Sequence, residues 1–161
     1  MNLEHASLVA QIVSAAAVIA SLIFVGFQLR QATAAIRASS SQAHSGLYTD
    51  LVQCIIDNAD FAGIWSIGLA DPKRLTEEEW VRFVAYASAL FRLYESSWVQ
   101  WQRGRLEKEH WHTIEQQAVC FGSLPGLKAA WQIRGGWFSP AFRAWFESLQ
   151  ALDPPDAYAR D

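Results

Sequence analysis

The longest apolar run in the chain extends from Ala6 to Leu29 and contains no charged residue. As a helix it would be about 36 Å long, and the hydrocarbon core of a membrane is about 30 Å thick. The pattern therefore predicts a membrane-spanning helix. Two alternatives stay open. A signal peptide would need a basic start and a shorter apolar run, and a buried core helix would account for the many Ala and Ser residues.

The basic residues beside this run predict its orientation. Arg30 and Arg37 follow it, and no Lys or Arg precedes it. Because basic flanks tend to stay in the cytoplasm, we expect the N-terminus outside and the C-terminal part in the cytoplasm of a single-pass protein.

Four small residues share one face of the predicted span. The spacings between them are four, three and four, as expected for one side of a helix, and they are Ala10, Ser14, Ala17 and Ser21. Such a face lets a second helix approach closely, which favours pairing with a copy of the chain or with another membrane protein. The alternative is that this face contacts only lipid.

Apolar residues continue at steps of three and four from Leu29 to Cys54, so the helix is predicted to run on through residues 31–58. The weak helix formers at Ser39–Ser41 and Ser45–Gly46 could interrupt it. The narrow apolar side of this helix could pack in a coiled coil, or it could dock onto the rest of the chain.

The strongest helix start lies at Thr76, where Glu79 completes a capping box. The helix that follows carries an apolar stripe at steps of four and three and should end near Gly104. We expect this stripe to be the core of the domain; its members are Trp80, Val84, Ala87, Phe91, Tyr94, Trp98 and Trp101.

Four shorter helices are predicted around it, near residues 60–70, 107–121, 125–134 and 140–149. No strand alternation is present, so the predicted class is all-α. The expected organisation is a transmembrane anchor over residues 1–30, a juxtamembrane helix over 31–58 and a compact aromatic-rich helical bundle over 59–150. The remainder, 151–161, carries two prolines and three acids and is predicted to be disordered.

Composition narrows the function. The net charge of −3 argues against nucleic acid as a main partner, since phosphate binding needs a clustered basic surface. Eight Trp, nine Phe and four Tyr favour a well-packed core or a surface that packs against another molecule. Cys54 and Cys120 lack ligand spacing and fit a reducing compartment, with one disulfide as the alternative.

Recognisable catalytic and cofactor motifs are missing from the sequence. His110 and His112 are two apart, so a helix would send them to different faces, and we expect both to be solvated. His44 does not complete a ligand set with them. We therefore predict neither a metal site nor a bound cofactor.

Arg92 and Glu95 lie three apart in the middle of the aromatic helix. We interpret them as an internal brace between helices. The alternative is a polar pocket of a small-ligand sensor or an enzyme, with Trp111 as a further lining residue.

Several segments resemble a group of uncharacterised bacterial proteins that have one N-terminal span and a small helical domain. They are FVGFQLRQAT (24–33), GLADPKRLTEEE (68–79), YESSWVQWQRGRL (94–106) and WFSPAFRAW (137–145). The resemblance implies placement in a bacterial inner membrane and a span followed by helices. It implies no activity and no functional residue.

These observations favour a non-enzymatic, membrane-anchored protein that acts in assembly, either as a homo-oligomer or as an accessory subunit of a membrane complex. An enzyme or ligand sensor remains the alternative.

Overall fold

A computed structural model describes residues 3–149, so the predicted disorder of 151–161 lies outside the described residues. The described part is helical and has no strand, which confirms the all-α class. Two short 3-10 segments, Pro72–Arg74 and Gly135–Trp137, lie between helices. The six α-helices are α1 (Leu3–Asp57), α2 (Ala59–Ala70), α3 (Glu77–Gln102), α4 (Lys108–Gly122), α5 (Pro125–Arg134) and α6 (Pro140–Leu149).

Helix α1 is continuous through the serine-rich segment, where the sequence allowed a break. The physical reason is that tertiary contacts override weak helix propensity. Ser40 donates a hydrogen bond to the Gln100 side chain of α3 at 2.9 Å, and His44 bonds to Ser97 of the same helix. Contacts between Cα atoms divide the chain into a first unit ending at Ala38 and a second beginning at Ser39.

In the second unit, the C-terminal part of α1 docks on the helical domain. Leu51 and Ile55 pack against its buried core, and the Tyr86 hydroxyl of α3 donates a hydrogen bond to the Leu51 carbonyl at 2.7 Å. The sequence left a coiled coil and docking onto the domain as alternatives for this helix, and the structure shows docking.

The capping box at the start of α3 is present as predicted. The Thr76 backbone N–H donates to Glu79 Oε2 at 2.8 Å, and the Glu79 N–H donates to the Thr76 hydroxyl at 3.3 Å. The helix ends at Gln102, and Gly104 follows with a φ of +64°, a conformation that glycine adopts without strain.

The core is built around α3 and is rich in aromatic rings. Val84, Ala87, Phe91 and Tyr94 of the predicted stripe are buried, and its three tryptophans are half-buried against the same core. The buried surface is wider than the stripe because α2, α4 and α5 all contact α3. It also includes Phe83, Leu90, Leu93 and Ser97.

Helices α2 and α5 cross where two glycines meet. A Cβ atom at Gly126 would overlap the carbonyl oxygen of Gly68, and one at Gly68 would overlap the Phe83 ring. The backbone of α5 can approach the Gly68 carbonyl this closely because Gly126 lacks a side chain, and the missing side chain of Gly68 leaves room for the Phe83 ring. Elsewhere in the domain, Cys54 and Cys120 are not joined by a disulfide.

Candidate functional site

The first candidate site is the exposed apolar surface of α1. Every described side chain from Ser7 to Ala38 is exposed, including Ile12, Leu22 and Phe24, which are 62%, 67% and 62% accessible. A helix with so many large apolar side chains outside any core needs an apolar environment around it. Helix α1 is long and apolar enough to span a membrane.

The four predicted pairing residues lie on this surface, and both serine hydroxyls bond within the helix. Ser14 donates to the Ala10 carbonyl and Ser21 donates to the Ala17 carbonyl, each at 2.8 Å. Because both hydroxyl protons have acceptors four residues back, neither serine needs a donor or acceptor outside the helix. A second helix could therefore contact this face through small side chains whose hydrogen bonds are already made. Pairing of α1 with another helix stays a prediction.

Arg92 and Glu95 bind each other and also bind the segment before α6. The Arg92 Nη1 atom lies 2.8 Å from Glu95 Oε2, and the Ser139 backbone N–H donates to Glu95 Oε1 at 2.9 Å. The Arg92 guanidinium also donates to the Trp137 carbonyl at 3.2 Å and lies over the Phe138 ring. Both carboxylate oxygens of Glu95 are thus engaged by the protein itself.

Trp111, the third residue of the predicted polar pocket, does not join this pair. It is buried and stacks on Trp101 with ring centroids 5.7 Å apart, and it also contacts Trp145. Arg92 and Glu95 line an open depression together with other residues of the same region, among them Arg103, but Trp111 does not line it. The structure therefore does not bring the three candidates together.

A buried polar cluster, which the sequence reasoning missed, consists of His44, Ser97 and His110. The Ser97 hydroxyl donates to the Leu93 carbonyl at 2.9 Å and lies 2.5 Å from His44 Nδ1, so its oxygen can accept an Nδ1–H bond. The His110 ring meets His44 edge to face, with centroids 5.3 Å apart. The expectation that His110 is solvated was wrong: it is half-buried, whereas His112 is exposed.

Burial, followed by the nearby His110 ring, lowers the pKa of His44 from 6.5 to about 4, so this imidazole is neutral at pH 7. The adjoining cavity is only about 60 Å³ in volume. Among the described residues, no group of three His, Cys, Asp or Glu side chains could hold a metal ion.

A signal for this cluster is present in the sequence. Ser40 and His44 lie at helical spacing from Tyr48 and Leu51 on the side of α1 that docks. A lone histidine in line with an apolar face is typical of a buried, hydrogen-bonded residue.

A further concave site is an apolar groove between the C-terminal part of α1, helices α2 and α3, and the end of α4. Its volume is about 550 Å³. None of the described residues that line it is charged. The groove is defined here by Leu51, Ile55, Ile56, Trp65, Leu69, Tyr86 and Leu90.

Comparison with curated proteins shows a distant similarity to part of a longer protein. No family model matches the chain, and no solved structure gives a significant match. Over 113 residues the chain is 26% identical to a protein named undecaprenyl-diphosphatase from Synechococcus sp. (strain JA-3-3Ab). The matched region covers 70% of this chain and only 37% of that relative.

Proposed function

We propose that this protein is a non-enzymatic, single-pass membrane protein that acts in assembly, as a homo-oligomer or as an accessory subunit of a membrane complex. The observation that carries the proposal is the small-residue face on the exposed, apolar part of α1. On this face the hydroxyls of Ser14 and Ser21 donate hydrogen bonds to carbonyls of the same helix. The partners are then the lipid bilayer and either a second copy or another membrane protein.

Packing physics supports the choice of this face. Lipid chains are as apolar as leucine, so the hydrophobic effect does not drive helices together inside a membrane. Close backbone approach through Ala and Ser then becomes the main source of attraction. In the proposed topology, the flanking Arg30 and Arg37 hold the C-terminal part in the cytoplasm of a bacterium, with the span in the inner membrane.

The first experiment measures the mass of the full-length tagged protein after gentle extraction from native membranes, by native mass spectrometry. A multiple of the 18.0 kDa chain supports a homo-oligomer, and a fixed companion supports an accessory subunit. A single chain carrying only lipid would contradict the proposal.

A pair of matched variants tests the face itself. Ala17→Leu adds a bulky side chain to the small face, and we expect it to abolish the complex because the partner helix can no longer approach. Ala15→Leu makes the same change on another side of α1 and should leave the complex intact. Equal loss or equal retention in the two variants would show that this face is not the pairing surface.

The second candidate is a small-ligand sensor or an enzyme at Arg92 and Glu95. The similarity to the protein named undecaprenyl-diphosphatase favours an enzyme, and the match covers 37% of that relative. The contacts of Glu95 favour the brace, because Ser139 and Arg92 take up one carboxylate oxygen each. Release of phosphate from undecaprenyl diphosphate by purified protein, lost in Glu95→Gln, would support the enzyme.

A further inference from the structure

The open depression beside Arg92 and Glu95 is formed by one face of α3 and by the chain that follows this helix. Its volume is about 440 Å³, within the range of about 300–1,000 Å³ typical of small-molecule sites. After α3, the chain turns at Gly104, and Arg105 joins the lining. The lining residues on the helix recur at steps of four, four and three, so they share one face; they are Arg92, Ser96, Gln100 and Arg103. We call this site the basic depression.

The basic depression carries more positive than negative charge. It contains three arginines, and Glu95 is the one acid among its described lining residues. Both carboxylate oxygens of Glu95 are already engaged, one by Arg92 and the other by the Ser139 N–H. Because arginine stays protonated at any physiological pH, the two guanidinium charges of Arg103 and Arg105 remain without a counter-charge in the lining.

These two arginine side chains have no structural partner in the described part of the chain. Neither of them takes part in an ion pair or a side-chain hydrogen bond there. They are not needed as helix caps, because the backbone N–H groups of residues 103–105 donate to the carbonyls of residues 99–101 at 2.8–3.1 Å. The C-terminal end of a helix favours cations, but this effect does not require both guanidiniums to line one depression.

Uncharged hydrogen-bond donors lie between the arginines. The Oε1 atom of Gln100 accepts the Ser40 hydroxyl at 2.9 Å, which leaves the Nε2 donors of Gln100 for a ligand. Ser96 is exposed and adds a hydroxyl. The donor set therefore combines two guanidiniums with a neutral amide and a hydroxyl, and it suits an anion that has several acceptor oxygens.

Charge and geometry favour phosphate as this anion. Guanidinium groups bind phosphate through paired N–H···O bonds. A phosphate monoester carries a charge of about −1.5 to −2 at pH 7 and three strong acceptor oxygens, so it balances two arginines. A single carboxylate carries only one negative charge and would leave one of the two arginines without a counter-charge.

We propose that the basic depression binds a phosphate group, with Arg103 and Arg105 as its charged partners and with Ser96 and Gln100 as neutral donors. The phosphate can belong to a soluble ester or to a lipid headgroup, since the chemistry of recognition is the same. This inference goes beyond the assembly role, and it does not depend on the span because all four residues lie in the second unit.

The test is isothermal titration calorimetry of the full-length protein in a non-ionic detergent, with inorganic phosphate and with glycerol 3-phosphate as probes. We expect saturable binding that weakens as salt is added, because salt screens exposed charges. Arg103→Gln should raise the Kd about tenfold, since it removes a charge-assisted hydrogen bond. Arg74→Gln removes an exposed arginine just before α3, at the end opposite the depression, and it should leave the Kd unchanged.

A second pair of titrations identifies the source of the phosphate. Mixed micelles containing phosphatidic acid are compared with micelles containing phosphatidylcholine. Binding of phosphatidic acid that is at least tenfold tighter than that of glycerol 3-phosphate would assign the site to a lipid headgroup. Equal affinity would assign it to a soluble phosphate ester. Both results support a phosphate site.

Three outcomes overturn the inference. The first is the absence of saturable binding of every phosphate probe up to about 10 mM. The second is equal affinity in Arg103→Gln and Arg74→Gln, with Arg105→Gln as an independent variant at the site. The third is equally tight binding of glutarate, which has two carboxylates and no phosphate, because it would assign the depression to acidic side chains of a partner protein. The mass of the extracted complex tests the assembly role separately.

Discussion

The imidazole of His44 is held neutral at a point where α1, α3 and α4 meet. Its Nδ1 atom is engaged by Ser97, and the titratable ring that faces it is His110. The Nε2 atom of His110 is buried without a hydrogen-bond partner among the described residues. Adding a proton to His44 would therefore place a charge in a site with no carboxylate among its described contacts, and burial makes that charge costly.

This burial predicts an acid-dependent loss of stability. The folded pKa of about 4 lies below the value of 6.5 expected when unfolded, so between these values the unfolded chain binds more protons. The contribution of His44 is complete above pH 6.5 and is lost as the pH falls towards 4. Its size is at most about 3 kcal/mol, because solvent near the partly accessible site screens the charge.

The measurement compares the free energy of unfolding of the unchanged protein and of His44→Gln from pH 7.5 to pH 4. The difference in unfolding free energy between the two proteins should change by up to about 3 kcal/mol over this pH range. His112→Gln removes an exposed histidine and serves as the control. Parallel curves for the unchanged protein and His44→Gln would contradict the assigned burial.

Only one of the two contacts of Glu95 could be predicted from the sequence. Its spacing from Arg92 indicated a local ion pair, because residues three apart on a helix are neighbours. The bond from the Ser139 N–H comes from a residue 44 positions away. A local pattern carries no information about such a contact, so the second role of this carboxylate could not be read from the sequence.

At the scale of elements, helix boundaries were predictable wherever a local chemical signal marks them. The capping box at Thr76 and Glu79 starts α3, and a proline at the first position starts both α5 and α6. The continuation of α1 beyond the apolar run was predicted from its three- and four-residue apolar spacing, and the helix extends to Asp57. The sequence left a break at Ser39–Ser41 open, and it carries no sign of the contacts of Ser40 and His44 with α3 at that segment. The groove could not be predicted from the sequence either, because residues of four helices form its walls.

The crossing of α2 and α5 gives a sharp prediction at this scale. Gly126→Ala places a methyl group against the Gly68 carbonyl, and we expect the free energy of unfolding to fall by about 2 kcal/mol as the helices move apart. Gly63→Ala adds the same group to α2 where nothing lies within 4 Å, and it should leave stability unchanged or raise it by about 0.5 kcal/mol. Thermal unfolding of the two variants gives the comparison, and similar midpoints would argue against the close crossing.

At the scale of the molecule, the chain combines two units that differ in where their apolar side chains lie. The first, up to Ala38, has no buried described side chain, whereas the second contains the aromatic core. Such a contrast follows from sequence, because an uninterrupted apolar run and a periodic aromatic stripe are both readable along the chain. What the second unit binds does not follow, because the groove arises only when distant segments pack together.

Removing the first unit separates the two places where assembly could reside. Residues 39–161 contain the aromatic core and the docked part of α1, so we expect this fragment to be helical, water-soluble and cooperative in thermal unfolding. Because the proposed pairing face lies at residues 10–21, the fragment should be monomeric while the full-length protein is not. Analytical ultracentrifugation of the fragment gives its mass directly. A stable dimer would move the assembly surface from the span to the domain, with the apolar groove as the first region to test by Ile56→Asp.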